Sequence, residues 1–298
     1  MIGRRRIAAL LAGVLMLAPA AMAMAGAPDP SAVARGAYIF AAADCAGCHT
    51  DVKNAGKPLA GGRALTTPFG TFFTPNITPD PRDGLGRWSL GDFRRALHEG
   101  VSPEGYDYFP AFPYTAFTAM SDGDIADLWA YLRTLAPVAQ ADRPHALTPP
   151  FGWRFLLPAW RLLFFRAGPL PPAPGKNAEW RRGDYLVNAV AHCGECHTPR
   201  NWLGGLERSR GFAGNPAGPD GQKAPNITPD AKTGIGDWSV EDITTLLKSG
   251  QTPDFETVGR GMAEVVKGTA ALTDSDRRAI AAYLKALPAI AAPSGATD

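Results

Sequence analysis

The sequence is poor in cysteine, carries almost no net charge and has no long apolar run beyond its first 25 residues. Only four cysteines occur in 298 residues, and each belongs to one of two Cys-x-x-Cys-His motifs. No cysteine is left to form a disulfide or to complete a zinc site. The formal charge is +2, and residues 4–6 are arginines that supply +3, which leaves −1 for the remainder. This balance gives no electrostatic reason to expect binding to nucleic acid.

Both motifs have the attachment pattern of a c-type haem. The motif residues are Cys45, Cys48 and His49 in the first copy and Cys193, Cys196 and His197 in the second. Two thiols three positions apart can each join a vinyl group of the same macrocycle, and the histidine that follows is then the proximal iron ligand. A redox pair of thiols and half of a zinc site are the alternatives for an isolated Cys-x-x-Cys. Because the histidine recurs in both copies, the sequence predicts two covalently bound haem c groups.

Residues 1–25 have the pattern of a secretory signal peptide. Three arginines are followed by an apolar stretch over 7–18, and Ala23-Met24-Ala25 offers a cleavage site before Gly26. The triplet over 21–23 is an alternative cleavage site. An uncleaved anchor is the alternative, but the apolar run is shorter than the ~20 residues of a membrane span, and Pro19 ends it. Export agrees with the two motifs, because c-type haem is attached outside the bacterial cytoplasm. We therefore expect a periplasmic protein, either free or associated with the membrane.

The sequence also repeats itself. Residues 45–50 recur at 193–198, residues 75–80 at 225–230, and residues 130–132 at 282–284. Spacings that increase slowly along the chain indicate a duplicated domain with small loop insertions. Each copy reads as a short helix, the motif, a Gly- and Pro-rich loop and two further helices.

This order predicts an all-α fold of two tandem cytochrome c domains with long haem-wrapping loops. The predicted boundaries are 30–136 for the first domain and 181–290 for the second, joined by a linker over 137–180. Residues 27–34 are expected to be a flexible lead-in. The linker contains a strongly apolar segment, 155–165, followed by a stiff proline-rich connector.

The apolar segment of the linker has two interpretations. It could pack across both domains as a strap, or it could form an exposed patch for a partner or a membrane surface. Its flanking cations, Arg154, Arg161 and Arg166, are compatible with the second interpretation.

Methionine is scarce where a sixth iron ligand is needed. Four of the six methionines fall within the first 25 residues, which leaves Met120 and Met262, one for each predicted domain. Met262 is expected on a glycine-flanked loop ahead of the last helix, whereas the repeat aligns Met120 with Leu272. We predict that both methionines are sixth ligands, with His98 as the other candidate in the first domain. Ordinary core packing is the alternative for either methionine.

Both halves resemble the multihaem cytochrome c subunits of bacterial membrane-associated dehydrogenases, such as alcohol and gluconate dehydrogenases. The matching stretches are residues 75–80, 108–114, 192–201 and 262–266. The resemblance implies that the protein passes electrons from a catalytic subunit to quinone or a terminal oxidase. Members of that family often carry a third Cys-x-x-Cys-His domain, and this sequence contains two. Many also read Pro-Ala-Met-Pro-Tyr where this sequence has Phe112, the place where the internal repeat also lacks a methionine.

These observations favour a dihaem relay without catalytic residues of its own, which serves a partner dehydrogenase and a downstream electron acceptor. The sequence shows no catalytic triad and no paired carboxylates. The alternative is a dihaem enzyme, such as a thiosulfate dehydrogenase or a cytochrome c peroxidase, which needs one haem with an open sixth position. A docking subunit without a redox role is the third class, and two redox centres argue against it.

Overall fold

A computed structural model describes residues 29–293, so the predicted signal peptide lies outside the described residues. This part of the chain contains 11 α-helices joined by long loops. The helices are α1 (Pro30–Ala42), α2 (Cys45–His49), α3 (Leu90–Glu99), α4 (Tyr114–Phe117), α5 (Asp122–Leu132), α6 (Leu157–Phe164), α7 (Ala178–Tyr185), α8 (Gly194–His197), α9 (Val240–Ser249), α10 (Arg260–Thr269) and α11 (Asp274–Lys285). One turn of π-helix, Leu186–Val190, extends α7.

The helices of the two halves follow the same order, so that α1 to α5 correspond to α7 to α11. Helices α3 and α9 begin with the same capping box, formed by Ser89 with Asp92 and by Ser239 with Asp242. Both end at a glycine in the left-handed region. The local sequence therefore sets both boundaries of these two helices.

The first and last helices of each half cross at a glycine. A Cβ atom on Gly36 of α1 would lie 1.9 Å from the carbonyl oxygen of Asp127 in α5. Its equivalent in α7, Gly183, would meet the carbonyl oxygen of Ala279 in α11 at 2.0 Å. Only a residue without a side chain lets the two helix backbones touch in this way.

Two local expectations differ from the structure. Helix α1 already begins at Pro30, because the Asp29 carboxylate caps it by accepting from the Ser31 amide at 3.0 Å. The predicted lead-in over 27–34 is therefore wrong from Pro30 onwards. The fold is also not purely helical. Strands β1 (Ala64–Thr67), β2 (Gly70–Phe73) and β3 (Ala146–Leu147) form a small antiparallel sheet, in which the linker supplies β3.

The two halves share one continuous hydrophobic core and exchange reciprocal hydrogen bonds. The Tyr38 hydroxyl of α1 donates to Asp276 of α11 at 2.6 Å and accepts from the Thr273 amide at 3.1 Å. Tyr185 of α7 makes the same pair of bonds with Asp124 and with the capping amide of α5. Each half therefore anchors its first helix to the start of the other half's last helix, in an approximately two-fold arrangement.

Helix α6 of the linker packs across both halves with one of its faces. The Trp160 indole N–H donates to the Leu203 carbonyl at 2.9 Å, and the ring of Phe165, directly after α6, lies 5.0 Å from the ring of Tyr114. Leu162 on the other face is 86% exposed. The linker is thus a strap on one side and an open apolar surface on the other. No helix within residues 29–293 is both long and apolar enough to cross a bilayer.

Candidate haem-attachment sites

The first Cys-x-x-Cys-His motif occupies helix α2, immediately after a sharp turn in the backbone. Asp44 adopts the left-handed conformation with φ of 48° and so separates α1 from α2. A Cβ atom on Gly47 would lie 2.3 Å from a carboxylate oxygen of Asp44, so the Asp44 side chain packs closely over the start of the motif. The turn and the short helix place Cys45, Cys48 and His49 within five consecutive residues.

The second motif is built in the same way. His192, directly before Cys193, is also left-handed, with φ of 41°. Its Nε2 lies 3.3 Å from the Ala43 carbonyl and its ring 5.2 Å from that of Phe117. The imidazole of His192 is therefore held by residues of the first half and anchors the second motif to it.

Each motif histidine bonds to a backbone carbonyl through Nδ1. The distance is 2.7 Å from His49 to the oxygen of Pro75 and 2.8 Å from His197 to that of Pro225. A carbonyl oxygen can only accept, so Nδ1 carries the proton and the lone pair of Nε2 remains available to a metal. Burial lowers the pKa of both histidines and keeps the imidazoles neutral. This is the state in which histidine binds iron.

The repeated segments 75–80 and 225–230 hold these carbonyls in place. The Asn76 side-chain oxygen accepts from the amide of Thr78 at 2.9 Å, and its amide group donates to the Val138 carbonyl at 2.7 Å. Asn226 does the same in the second half and donates to the Ile290 carbonyl at 2.7 Å. Both asparagines are 2% exposed. Sequence reasoning noted the repeat of these segments but missed this role, although the repeat was the available signal.

The four thiols are free and poorly suited to redox exchange. Burial raises the pKa of Cys48 to about 12 and that of Cys196 to about 11. Burial also raises the pKa of Cys45 and Cys193. Reactive thiols have lowered values, so a disulfide-exchange role is disfavoured. Neutral, half-buried thiols beside a histidine with a free Nε2 fit covalent attachment of haem.

Across residues 29–293, no group of three or more His, Cys, Asp or Glu side chains could hold a metal ion. The zinc alternative for either motif therefore gains no further ligand from this part of the chain.

Met262 lies on a helix rather than on the expected loop. Helix α10 begins at Arg260, two residues earlier, so the methionine belongs to its first turn. The side chain is half-buried against the core. As expected, it precedes the last helix, α11.

Met120 occupies a core position ahead of α5. It is 3% exposed, as is its counterpart Leu272 in the second half. The Nε2 of His98 lies 2.9 Å from the Met120 carbonyl and must donate to it, which engages this ring with the backbone. Phe112, the counterpart of Met262, packs its ring 5.9 Å from that of Phe117. Met120 remains our predicted ligand for the first iron.

Known proteins resemble the chain over most of its length. The family model described as cytochrome c matches residues 33–136. A protein from Cereibacter sphaeroides named diheme cytochrome c-type is 50% identical over 261 residues, which is 86% of each chain.

Several relatives are named as parts of dehydrogenases. The alcohol dehydrogenase (quinone) cytochrome c subunit of Gluconacetobacter polyoxogenes is 39% identical over 99% of this chain and 64% of its own. The fructose dehydrogenase cytochrome subunit of Gluconobacter japonicus is 40% identical over 97% of this chain and 59% of its own. This sequence thus spans less than two thirds of either subunit. The repeated motif geometry and these similarities lead to one conclusion: the chain belongs to the family of dihaem c-type cytochromes.

Proposed function

We propose that the protein is a periplasmic dihaem cytochrome c that relays electrons from a partner dehydrogenase subunit to a respiratory acceptor such as quinone, a cytochrome or an oxidase. The observation that carries this proposal is the matched pair of motif histidines, each neutral and oriented by a backbone carbonyl. Two relatives that are named as cytochrome subunits of dehydrogenases support the choice of partner.

The two halves correspond in this proposal to tandem cytochrome c domains over 30–136 and 181–290, with the linker over 137–180 between them. Each holds one haem c, which supplies one-electron chemistry between ferrous and ferric iron. The first site consists of Cys45 and Cys48 for attachment and His49 and Met120 for the iron. The second consists of Cys193 and Cys196 for attachment and His197 and Met262 for the iron. The Nδ1 hydrogen bonds fix the orientation of both proximal histidines and raise their basicity.

Direct contacts between the two motif regions support electron transfer between them. His192, which precedes the second motif, lies 3.3 Å from the Ala43 carbonyl just before the first. Helix α4 of the first half also reaches the second motif. Thr115 of α4 donates to the Glu195 carboxylate inside the second motif at 2.5 Å. The two attachment sites therefore share one interface.

The open face of the linker is the surface that we assign to docking at a membrane. Within residues 143–178 the chain has five basic residues and no acidic one. Phe155 is 74% exposed, Leu162 86% and Leu163 65%, and Trp153 stacks on Phe155. Exposed aromatic and aliphatic side chains among cations suit the boundary of an anionic bilayer, where a membrane-associated dehydrogenase would also be located.

The relay is tested by turnover of the isolated protein. Denatured mature protein should first show the mass of two covalently bound haems. Haem reduction should then require a cognate dehydrogenase together with its substrate. If the purified cytochrome alone oxidises thiosulfate or reduces peroxide at about 1 s⁻¹ or faster, the range of ordinary enzymes, the relay is wrong.

Phe112 favours a second candidate, the dihaem enzyme. A phenylalanine stands where the other half has its methionine, and it offers no atom to iron. An enzyme of this kind needs an open sixth position, which a high-spin component in the ferric spectrum would reveal. Spectra with two low-spin haems support the relay.

A further inference from the structure

Helix α10 of the second half is joined to the first haem motif through the side chain of Arg63. Arg63, which follows the first motif in the chain, donates from Nη1 to the Gly47 carbonyl inside α2 and to Glu264 of α10. The distance to the Glu264 carboxylate is 2.6 Å, and the Arg63 side chain is only 13% exposed. One guanidinium therefore joins the first attachment motif to a helix that lies 201 positions away in the sequence.

The same face of α10 makes a second contact with the first half. A Cβ atom on Gly268 would lie 2.2 Å from the Ala41 carbonyl oxygen of α1. Glu264 and Gly268 are four residues apart and therefore share one face of the helix. Met262 precedes Glu264 by two residues, which turns it about 200° away around the helix axis. Helix α10 thus contacts the first half through one face, and Met262 lies on the nearly opposite face.

Arg63 also binds a loop of the second half. Its Nη2 lies 3.5 Å from the Asp220 carboxylate, which accepts from the Thr66 amide of β1 at 3.2 Å. Asp220 is therefore held against the first half as well. The planar guanidinium of Arg63 reaches Gly47, Glu264 and Asp220 together. It therefore sets the relative orientation of these groups as well as neutralising the carboxylates.

We propose that Arg63, although it belongs to the first half, is a positioning residue for Met262 in the second. By fixing α10 relative to the first motif, Arg63 holds Met262 in the position that iron ligation requires. This inference rests on the proposed ligation of the second haem by Met262. It predicts that a substitution in one half changes the ligation and the potential of the haem in the other.

The test uses the full-length holoprotein with Met120→Leu as background, so that only the second haem can have a methionine ligand. The near-infrared methionine-to-iron band of the ferric protein and the two potentials from a spectroelectrochemical titration are the readouts. Arg63→Gln and Glu264→Gln should each reduce the band by at least half and lower the potential of the second haem. Arg63→Lys keeps the positive charge but lacks the planar guanidinium with its several donors. It should retain more of the band than Arg63→Gln.

Arg278→Gln is the matched control, because Arg278 forms an exposed ion pair with Glu241 at 3.1 Å within the second half. It should leave the band and both potentials unchanged. If Arg63→Gln folds, keeps two haems and shows the full band at an unchanged second potential, the inference is overturned. If it does not fold, a full band in Glu264→Gln overturns the inference equally. A band that survives Met262→Leu instead contradicts the proposed ligation itself, so the two failures are distinguishable.

Discussion

A single backbone carbonyl decides which nitrogen of each motif histidine can bind iron. His49 and His197 each donate a hydrogen bond from Nδ1 to a proline carbonyl, at 2.7 and 2.8 Å. The carbonyls are fixed in turn by the buried asparagines Asn76 and Asn226. The proximal side that we propose for each haem site is therefore organised by the folded chain itself.

The distal side can be tested one methionine at a time. Met262→Ala should remove the methionine-to-iron band of the second haem and lower its potential, because a thioether ligand raises the potential of haem iron. Met120→Leu should have the same effect on the first haem. Near-infrared spectra and redox titrations of the two variants check this. A potential and band that stay unchanged in either variant would remove that methionine from the ligand set.

Among the secondary-structure elements, the crossing of α1 and α5 is most sensitive to side-chain size. Gly36→Ala would place a methyl group 1.9 Å from the Asp127 carbonyl oxygen. We expect a loss of about 1–3 kcal/mol in the free energy of unfolding, as for other overpacked contacts. Denaturant unfolding measures it. Gly123→Ala in α5 is the control, since its nearest neighbour would be Ser121 Oγ at 3.8 Å. Equal losses in both variants would refute the role of the close crossing.

The open face of the linker leads to a prediction for helix α6, which carries part of this face. The double variant Leu162→Ser, Leu163→Ser should pellet less with vesicles that contain phosphatidylglycerol. A decrease of roughly tenfold or more is expected, because burying one leucine contributes about 1.5–3 kcal/mol. Phe255→Ser is the matched control, because Phe255 is 83% exposed but lies outside the linker.

Three results would contradict docking of this face at an anionic membrane. The wild-type protein could stay in the supernatant, both variants could lose binding equally, or binding could be as strong to pure phosphatidylcholine. Concentration-dependent dimers of the wild-type protein that the double variant abolishes would assign the face to self-association instead.

For the molecule as a whole, the contact between the halves includes an ionised aspartate, Asp276, which accepts from Tyr38 of the first half. Burial raises the pKa of Asp276, but the bonds from Arg182 and Tyr38 outweigh it and hold the pKa below its usual range. A carboxyl with a lowered pKa in the folded state stabilises the fold above its unfolded value of about 3.9. That contribution is lost as the pH falls through the lower pKa of the folded state.

Asp276→Asn should therefore destabilise the protein at pH 7 by about 1.5–3 kcal/mol, the range for hydrogen bonds to charged groups. The difference from the wild type should shrink as the pH falls below about 4. Unfolding curves between pH 7 and pH 3 measure this change. Asp254→Asn, at an exposed position, serves as the control. A difference that stays constant over that range would show that the charge of Asp276 is not responsible.

The sequence alone determined what depends on neighbouring residues. Cys-x-x-Cys-His places two thiols and a histidine on one helical turn, and Ser89 with Asp92 forms a capping box, because these interactions span only a few residues. The repeat identified the duplicated helices because similar short segments form similar local structure. Helix α1 starts earlier than the sequence pattern predicts, because the Asp29 side chain caps it.

Only the tertiary structure decided what depends on distant parts of the chain. The bond from His49 to Pro75 spans 26 positions, and the bond from Arg63 to Glu264 spans 201. Strand β3 forms because the linker meets the edge of β2, which no local pattern in two residues could indicate. The amino-acid pattern fixes short-range geometry, but the partners of a buried carbonyl or guanidinium are set by how the helices pack.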